Sequence, residues 1–216
     1  MKLGAFGTGT VGQTIAGKLV TLGHQTKMGA RSASNEKAAA WVAKTGQGAS
    51  HGTFADAAAF GELIFNCTAG SGTVEAAQAA GADNLRGKIL IDVSNALDFS
   101  KGFPPSLFTG NTDSLGEQLQ RALPETKVVK SLNTVNANLM VDAGSLAGGD
   151  HDVFVSGNDP GAKAHVSEIL RDWFGSKNVV DLGDITTARG TESYVALWVR
   201  LYGALQTPQF NIKLVR

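Results

Sequence analysis

Short apolar runs alternate along the chain with longer stretches in which apolar residues recur every third or fourth position, the two periodicities of strands and of core-facing helices. Residues 2–6 read as a strand, and Ile15, Ala16, Leu19, Val20 and Leu22 predict a helix over 14–22. Further strands are expected over 24–29, 46–50, 62–67, 88–93, 127–132, 151–156 and 178–182. Between them, helices are expected over 35–43, started by Ser34, as a turn at 54–59, and over 114–123. Asp159 followed by Pro160 is a strong helix start, a carboxylate cap before a proline at the first helical position, and that helix should run to about Trp173. A long apolar helix over 186–205 follows, with Tyr194, Trp198 and Tyr202 expected in core packing. Strands that are apolar on both faces, alternating with helices, belong to a mostly parallel sheet covered on both sides, an α/β doubly wound fold. One domain is expected, with a core over about 1–150 and a small strand-helix extension over about 151–216.

The first strand runs into Gly7-Thr8-Gly9-Thr10-Val11-Gly12, a G-x-G-x-x-G turn that opens the first helix. In that pattern the first glycine makes the tight turn, the second lets backbone approach a pyrophosphate, and the third lets helix and strand pack closely. The free N–H groups at the helix start then face the phosphates. A Rossmann-type dinucleotide site is the expectation. About twenty residues on, where an NAD site places a carboxylate for the ribose hydroxyls, the chain has Met28-Gly29-Ala30-Arg31-Ser32. A guanidinium and a hydroxyl suit a 2′-phosphate, so NADP(H) is favoured, with Lys37 one turn into the next helix as an auxiliary cation. Small or amide-bearing side chains follow the fourth, fifth and sixth strands: Thr68 and Ala69, Ser94 and Asn95, then Asn133 and Thr134. They leave room for a cofactor at the carboxyl edge of the sheet. The long stretch from Ser94 to Thr112 is a candidate cover for a substrate.

Composition narrows the partners. Among 216 residues, 19 basic and 19 acidic side chains cancel, so nothing in the charge invites nucleic acid or an anionic membrane. The partners expected are small molecules. One cysteine, Cys67, lies in an apolar run and should be a buried thiol, as in a reducing, cytoplasmic setting. No apolar run approaches the ~18 residues that a spanning helix needs, and no leader pattern precedes the first strand. The apolar last helix and the tail over 210–215 offer either a homodimer surface or the closing of the core.

Catalytic constellations are scarce. H-E-x-x-H, C-x-x-C and G-x-S-x-G are absent, the four histidines (His24, His51, His151, His165) lack ligand spacing, and no metal is expected. A nicotinamide carries the hydride chemistry itself, so no catalytic side chain is assigned; Lys130, Asp92 and His165 stand as proton donors to test.

Gly7-Thr8-Gly9-Thr10-Val11-Gly12, Gly29-Ala30-Arg31-Ser32, Val128-Val129-Lys130-Ser131-Leu132-Asn133-Thr134 and Phe210-Asn211-Ile212-Lys213-Leu214 together resemble the NADP oxidoreductases that use the deazaflavin coenzyme F420. The likeness covers essentially the whole chain. It implies pyrophosphate binding at Thr8 to Gly12, 2′-phosphate binding at Thr8, Ala30 and Arg31, nicotinamide contacts from Thr68, Ala69 and Ala137, and direct hydride transfer between NADPH and the deazaflavin. Thr134-Val135-Asn136 stands where that family tends to have Thr-Ile-Pro, and Ala30 where it usually has serine. The first of these, with Asp92-Val93-Ser94-Asn95 and 153–159, is similar to the cytosolic reductase domain of six-transmembrane metalloreductases, which implies a flavin or a ferric or cupric acceptor as the alternative. A third reading, from a different class, is an NADP(H)-binding redox sensor without turnover.

Overall fold

The computed structural model describes residues 1–215. Ten strands form: β1 (Lys2–Phe6), β2 (Gln25–Ala30), β3 (Ala49–Thr53), β4 (Leu63–Asn66), β5 (Ile89–Asp92), β6 (Leu97–Asp98), β7 (Ser106–Leu107), β8 (Lys127–Ser131), β9 (Asp152–Gly157) and β10 (Asn178–Asp181). The helices are α1 (Thr10–Thr21), α2 (Glu36–Thr45), α3 (Phe54–Phe60), α4 (Thr73–Ala80), α5 (Ala82–Leu85), α6 (Leu115–Ala122), α7 (Ala137–Val141), α8 (Pro160–Asp172) and α9 (Ala188–Leu205).

Eight strands make one sheet in the order β10-β9-β8-β5-β4-β1-β2-β3. The stretch from β3 to β8 is parallel throughout and has the 3-2-1-4-5-6 order of a Rossmann-type fold, which reverses between β1 and β4. Chain entry into β9 is different: β9 runs antiparallel to β8, and α8 then carries the chain to β10, parallel to β9. The expected α/β doubly wound, mostly parallel sheet is what forms, and residues 152–181 lengthen that sheet.

Period-two alternation sorts the core into two layers. Leu63 and Phe65 of β4, Ile91 of β5 and Val129 of β8 pack against Ile15 and Leu19 of α1, Leu139 of α7 and Val166 and Ile169 of α8. Their neighbours Ile64, Leu90 and Val128 face Ala57 of α3, Ala76 and Ala77 of α4, Leu85 of α5 and Leu119 of α6. Ala5 and Met28 meet Trp41 of α2 on the α1 side. Phe65 is fully buried, and truncation to alanine there would cost about 3–5 kcal/mol.

Four expectations are corrected. The cap of α2 is Asn35, whose side chain accepts from the Ala38 N–H, while Ser34 binds only the Ser32 hydroxyl; the backbone bends once more before becoming helical. The stretch after Asn95 is no plain loop, because β6 and β7 pair antiparallel within it. The turn after β8 leads into the unforeseen α7, with Asn136 as its cap. In α9 the aromatic residues are not core: Tyr202 is 39% exposed, and Trp198, half-buried, stacks on Tyr202 and Phe210 at 5.8 and 5.2 Å. The second half of that helix has left the sheet, and its aromatic residues pack on the tail, on one another and, at Tyr202, edge-on to Phe103 at 6.5 Å. No helix among the described residues is long and apolar enough to cross a membrane.

Candidate nucleotide-binding site

A cleft of about 410 Å³ opens at the carboxyl edge of the sheet where the strand order reverses. From the turn after β1 it takes Gly7, Thr8 and Gly9; from the end of β2, Ala30, Arg31 and Ser32; from the loop after β4, Thr68, Ala69, Ser71 and Gly72. Asn35, Phe54 and Cys67 complete the lining.

The three glycines of the turn have three different causes. Gly7 has φ +104°, which only glycine adopts without strain, and a Cβ on Gly12 would lie 2.1 Å from the Gly7 carbonyl oxygen. Gly9 is extended, with φ −79° and ψ −179°, and a Cβ there would meet nothing within 4 Å. Neither backbone conformation nor protein packing calls for glycine at position 9; what its missing side chain preserves is open space above the start of α1. That helix start carries no side-chain cap, so its first N–H groups point outward unsatisfied by protein. An anion of pyrophosphate type fits such a cradle.

At the ribose corner the Arg31 guanidinium reaches across the mouth, 3.8 Å from Glu75 at the first turn of α4 and over Gly72, where a Cβ would come within 3.1 Å of it. The pair is largely exposed and therefore weak, leaving Arg31 available to a stronger anion. Ser32 faces the same corner, and no carboxylate lines the cleft. Phe54, edge-on to Phe6 at 5.4 Å, forms an apolar wall. The Cys67 thiol is pushed well above the ordinary range by burial, with the Asp92 charge adding to the effect, so it stays neutral and unreactive.

Other expected site residues fall elsewhere. Thr10 lies in the first turn of α1 on its outer side, Val11 packs partly buried on the core, and Gly12 is buried beneath the turn. Lys37 is exposed on α2 and does not line the cleft. Ser94, Asn95, Asn133 and Thr134 sit one layer behind. The Asn95 amide donates to the Asn133 carbonyl at 2.9 Å and accepts from the Asn133 amide at 3.0 Å. Gly70 closes on this pair, since a Cβ there would lie 2.1 Å from the Asn95 carbonyl oxygen. Leu132, with φ +62°, bends the chain out of β8 toward Asn95, a strained conformation for a branched residue. Thr134 faces a smaller apolar pocket beside Tyr194, and Ala137 is half-buried at the start of α7.

The three proton-donor candidates do not reach the cleft. Lys130 and Asp92 are buried against each other at 2.8 Å, and His165 lies on α8, 3.5 Å from Glu168. No group of three or more His, Cys, Asp or Glu that could hold a metal occurs among the described residues. Asn35, Phe54, Ser71 and Gly72 line the cleft without having been singled out. The signal for the last two was the run of small residues, Thr68-Ala69-Gly70-Ser71-Gly72, that follows the fourth strand; Phe54 comes immediately after β3 and Asn35 caps α2, places that the tertiary structure turns toward the cleft.

Comparison with known proteins agrees with this geometry. The family described as NADP oxidoreductase, coenzyme F420-dependent, matches residues 2–96. A protein from Arthrobacter sp. FB24, solved and provisionally assigned as an F420-dependent NADP reductase, is 53% identical over the full length of both chains, with a TM-score of 0.94. The chain belongs to this family of F420-dependent NADP oxidoreductases. It is an NADP-dependent oxidoreductase with an NADP(H) cofactor. More distant structures share the family's fold alone. A hypothetical protein from Sinorhizobium meliloti is 22% identical over 86% of each chain (TM-score 0.65). An imine reductase from Aspergillus terreus, solved with NADPH4, is 20% identical over 95% of this chain and 62% of its own (TM-score 0.66).

Proposed function

We propose that the chain passes a hydride between NADP(H) and the deazaflavin coenzyme F420. The observation that carries this reading is the lining of the cleft: a phosphate cradle and a guanidinium at the ribose corner, with no carboxylate, histidine or lysine. Arg31 and Cys67 are the ionisable side chains there, and Cys67 is held neutral. Bound NADPH supplies the hydride from C4 of its nicotinamide.

The chain's own residues position and exclude. The N–H groups at the start of α1 hold the pyrophosphate, while Arg31 and Ser32 hold the 2′-phosphate. Thr68, Ala69 and Ser71 leave the other half of the cleft small-walled and free of a competing acid, so any proton the acceptor needs comes from water. A deazaflavin would accept the hydride whole, hydrogen and both electrons together, which is the chemistry such a site allows. The names carried by the family and by the 53%-identical relative support the same acceptor.

One residue of the stretches that pointed to a flavin, Asn136, has a local role. Asn136 caps α7 by accepting from the Asn138 and Leu139 N–H groups, and its amide donates to the Pro208 carbonyl of the tail. An asparagine at this position is accounted for without any change of acceptor.

The test is NADPH oxidation by the purified protein with coenzyme F420, FMN, FAD and a ferric chelate in parallel. Turnover with F420 alone is expected. Turnover only with a flavin or the chelate would move the acceptor to the metalloreductase type, and tight NADPH binding without turnover would leave a sensor.

A further inference from the structure

Behind the loop after β4 lies a fully buried charged cluster. The Lys130 ammonium of β8 contacts Asp92 of β5 and Glu192 of α9, each at 2.8 Å, and donates to the Ser94 carbonyl at 2.6 Å. All three side chains are at most 3% exposed. Glu192 also accepts from the Leu115 and Gly116 N–H groups at the start of α6, at 2.9 and 3.1 Å. Burial alone would lower the lysine's pKa, but the two carboxylates outweigh it and hold the ammonium charged.

The cluster is connected to the cleft. Asp92 accepts from the Asn66 amide at 2.8 Å; the same amide nitrogen donates to Thr73 at 2.6 Å; and the Asn66 carbonyl oxygen accepts from the Thr68 hydroxyl at 2.8 Å. Thr68 lines the cleft. The chain has a direction, set at its charged end. Lysine can only donate and a carboxylate can only accept, so Asn66 must turn its NH₂ toward Asp92. Its carbonyl then falls toward Thr68, which is obliged to donate inward; the Thr73 hydroxyl, 2.8 Å from that of Thr68 and already accepting from Asn66, donates to Thr68 and leaves it one lone pair for the cleft.

We propose that Lys130, Asp92 and Glu192 are positioning residues for the nicotinamide half of the cleft, acting through Asn66 to fix the donor direction of the Thr68 hydroxyl, so that Thr68 meets the cofactor as an acceptor. This rests on the NADP(H) reading and not on the identity of the acceptor. The half is assigned by topology: β1 to β3 carry the phosphate cradle and Arg31, and the second nucleotide of a dinucleotide lies across the reversal point, over β4 and β5. Asp92→Asn keeps the shape but presents an N–H to Lys130 or to Asn66. Turning Asn66 over relieves its share of the second conflict and reverses the direction at Thr68, while the Ser94 N–H, which donates to the same Asp92 oxygen at 3.2 Å, still faces the new N–H.

Calorimetric Kd values for NADPH and for 2′,5′-ADP, which carries only the adenosine half, test this in the unmodified protein and in Thr68→Val, Asp92→Asn, Asn66→Ala and the Thr68→Val/Asp92→Asn double variant. Each single change is expected to weaken NADPH about tenfold, as the loss of one hydrogen bond does, and to leave 2′,5′-ADP within about twofold. The double variant should bind NADPH no more weakly than the worse single, because both act at one contact. Losses that multiply to about a hundredfold, equal losses for both ligands, or unchanged NADPH affinity in Asn66→Ala would overturn the proposal. Asn66→Ala leaves all three charges in place and so reports even where Asp92→Asn does not fold. Failure of the unmodified protein to bind 2′,5′-ADP would overturn the cofactor reading and this proposal with it.

Discussion

The two halves of the cleft are built from opposite materials. On the β1–β3 side, the proposed phosphate contacts are bare backbone at the start of α1 and Arg31, an exposed cation in a 3.8 Å pair with Glu75. On the β4–β8 side, small neutral side chains line the cleft, and the charges stand behind them in the dry Lys130–Asp92–Glu192 cluster. The contrast suits what each half is proposed to hold. A phosphate brings its own charge and needs only oriented donors, which can remain in water between visits. A nicotinamide brings a neutral amide whose placement depends on donor direction, and direction is kept only where water cannot exchange partners.

The sharpest way to break this comparison is Lys130→Met, which leaves two buried carboxylates without their ammonium. It should remove about 3–5 kcal/mol of stability in urea unfolding; a loss under about 1 kcal/mol, as for an exposed pair, would erase the distinction between the halves. Next is Gly9→Val. It should weaken NADPH and 2′,5′-ADP alike by more than about a hundredfold, while the melting temperature stays within a few degrees, because the added side chain fills ligand space and touches no protein. Retained affinity would make the turn purely structural.

Arg31→Ala should cost NADPH about 1–3 kcal/mol of binding and leave NADH nearly unchanged. Equal losses would detach Arg31 from the 2′-phosphate. Asn35→Ala removes the α2 cap and should lower stability by about 1 kcal/mol, read in the same urea titration.

The smallest effect concerns the rim of the buried half, where Arg189 bonds Glu117 and holds that carboxyl below the usual range, aided by the Ser114 hydroxyl against the opposing effect of burial. A depressed carboxylate stabilises the fold above its unfolded pKa, about 4.3, and loses that contribution as pH falls through the folded value. Arg189→Met should therefore be less stable than the parent at neutral pH, with the gap closing in acid. A gap that persisted at low pH would assign the effect to packing.

The fold and the phosphate cradle were legible because their causes are local. Gly7, Gly9 and Gly12 lie within six positions of one another, the strand alternation is a period of two, and Asp159-Pro160 caps α8 from within one turn. Locality also explains the near misses: Ser34 and Asn35 are both good caps, and only the backbone path decides between them.

What the sequence by itself determined was the parallel sheet, its covering helices, and a glycine turn with Arg31 rather than a carboxylate at the end of β2. Tertiary structure decided the rest. It set β9 antiparallel to β8, brought Phe54 to the cleft wall, and turned Lys130 and Asp92 from proton-donor candidates into a buried cluster. The physical reason is distance along the chain: Asp92 lies 38 residues from Lys130, and Glu192 lies 77 from the Leu115 N–H it accepts. Periodicity and spacing report neighbours within a few residues, whereas a charge is held in a dry interior only by partners that folding brings together.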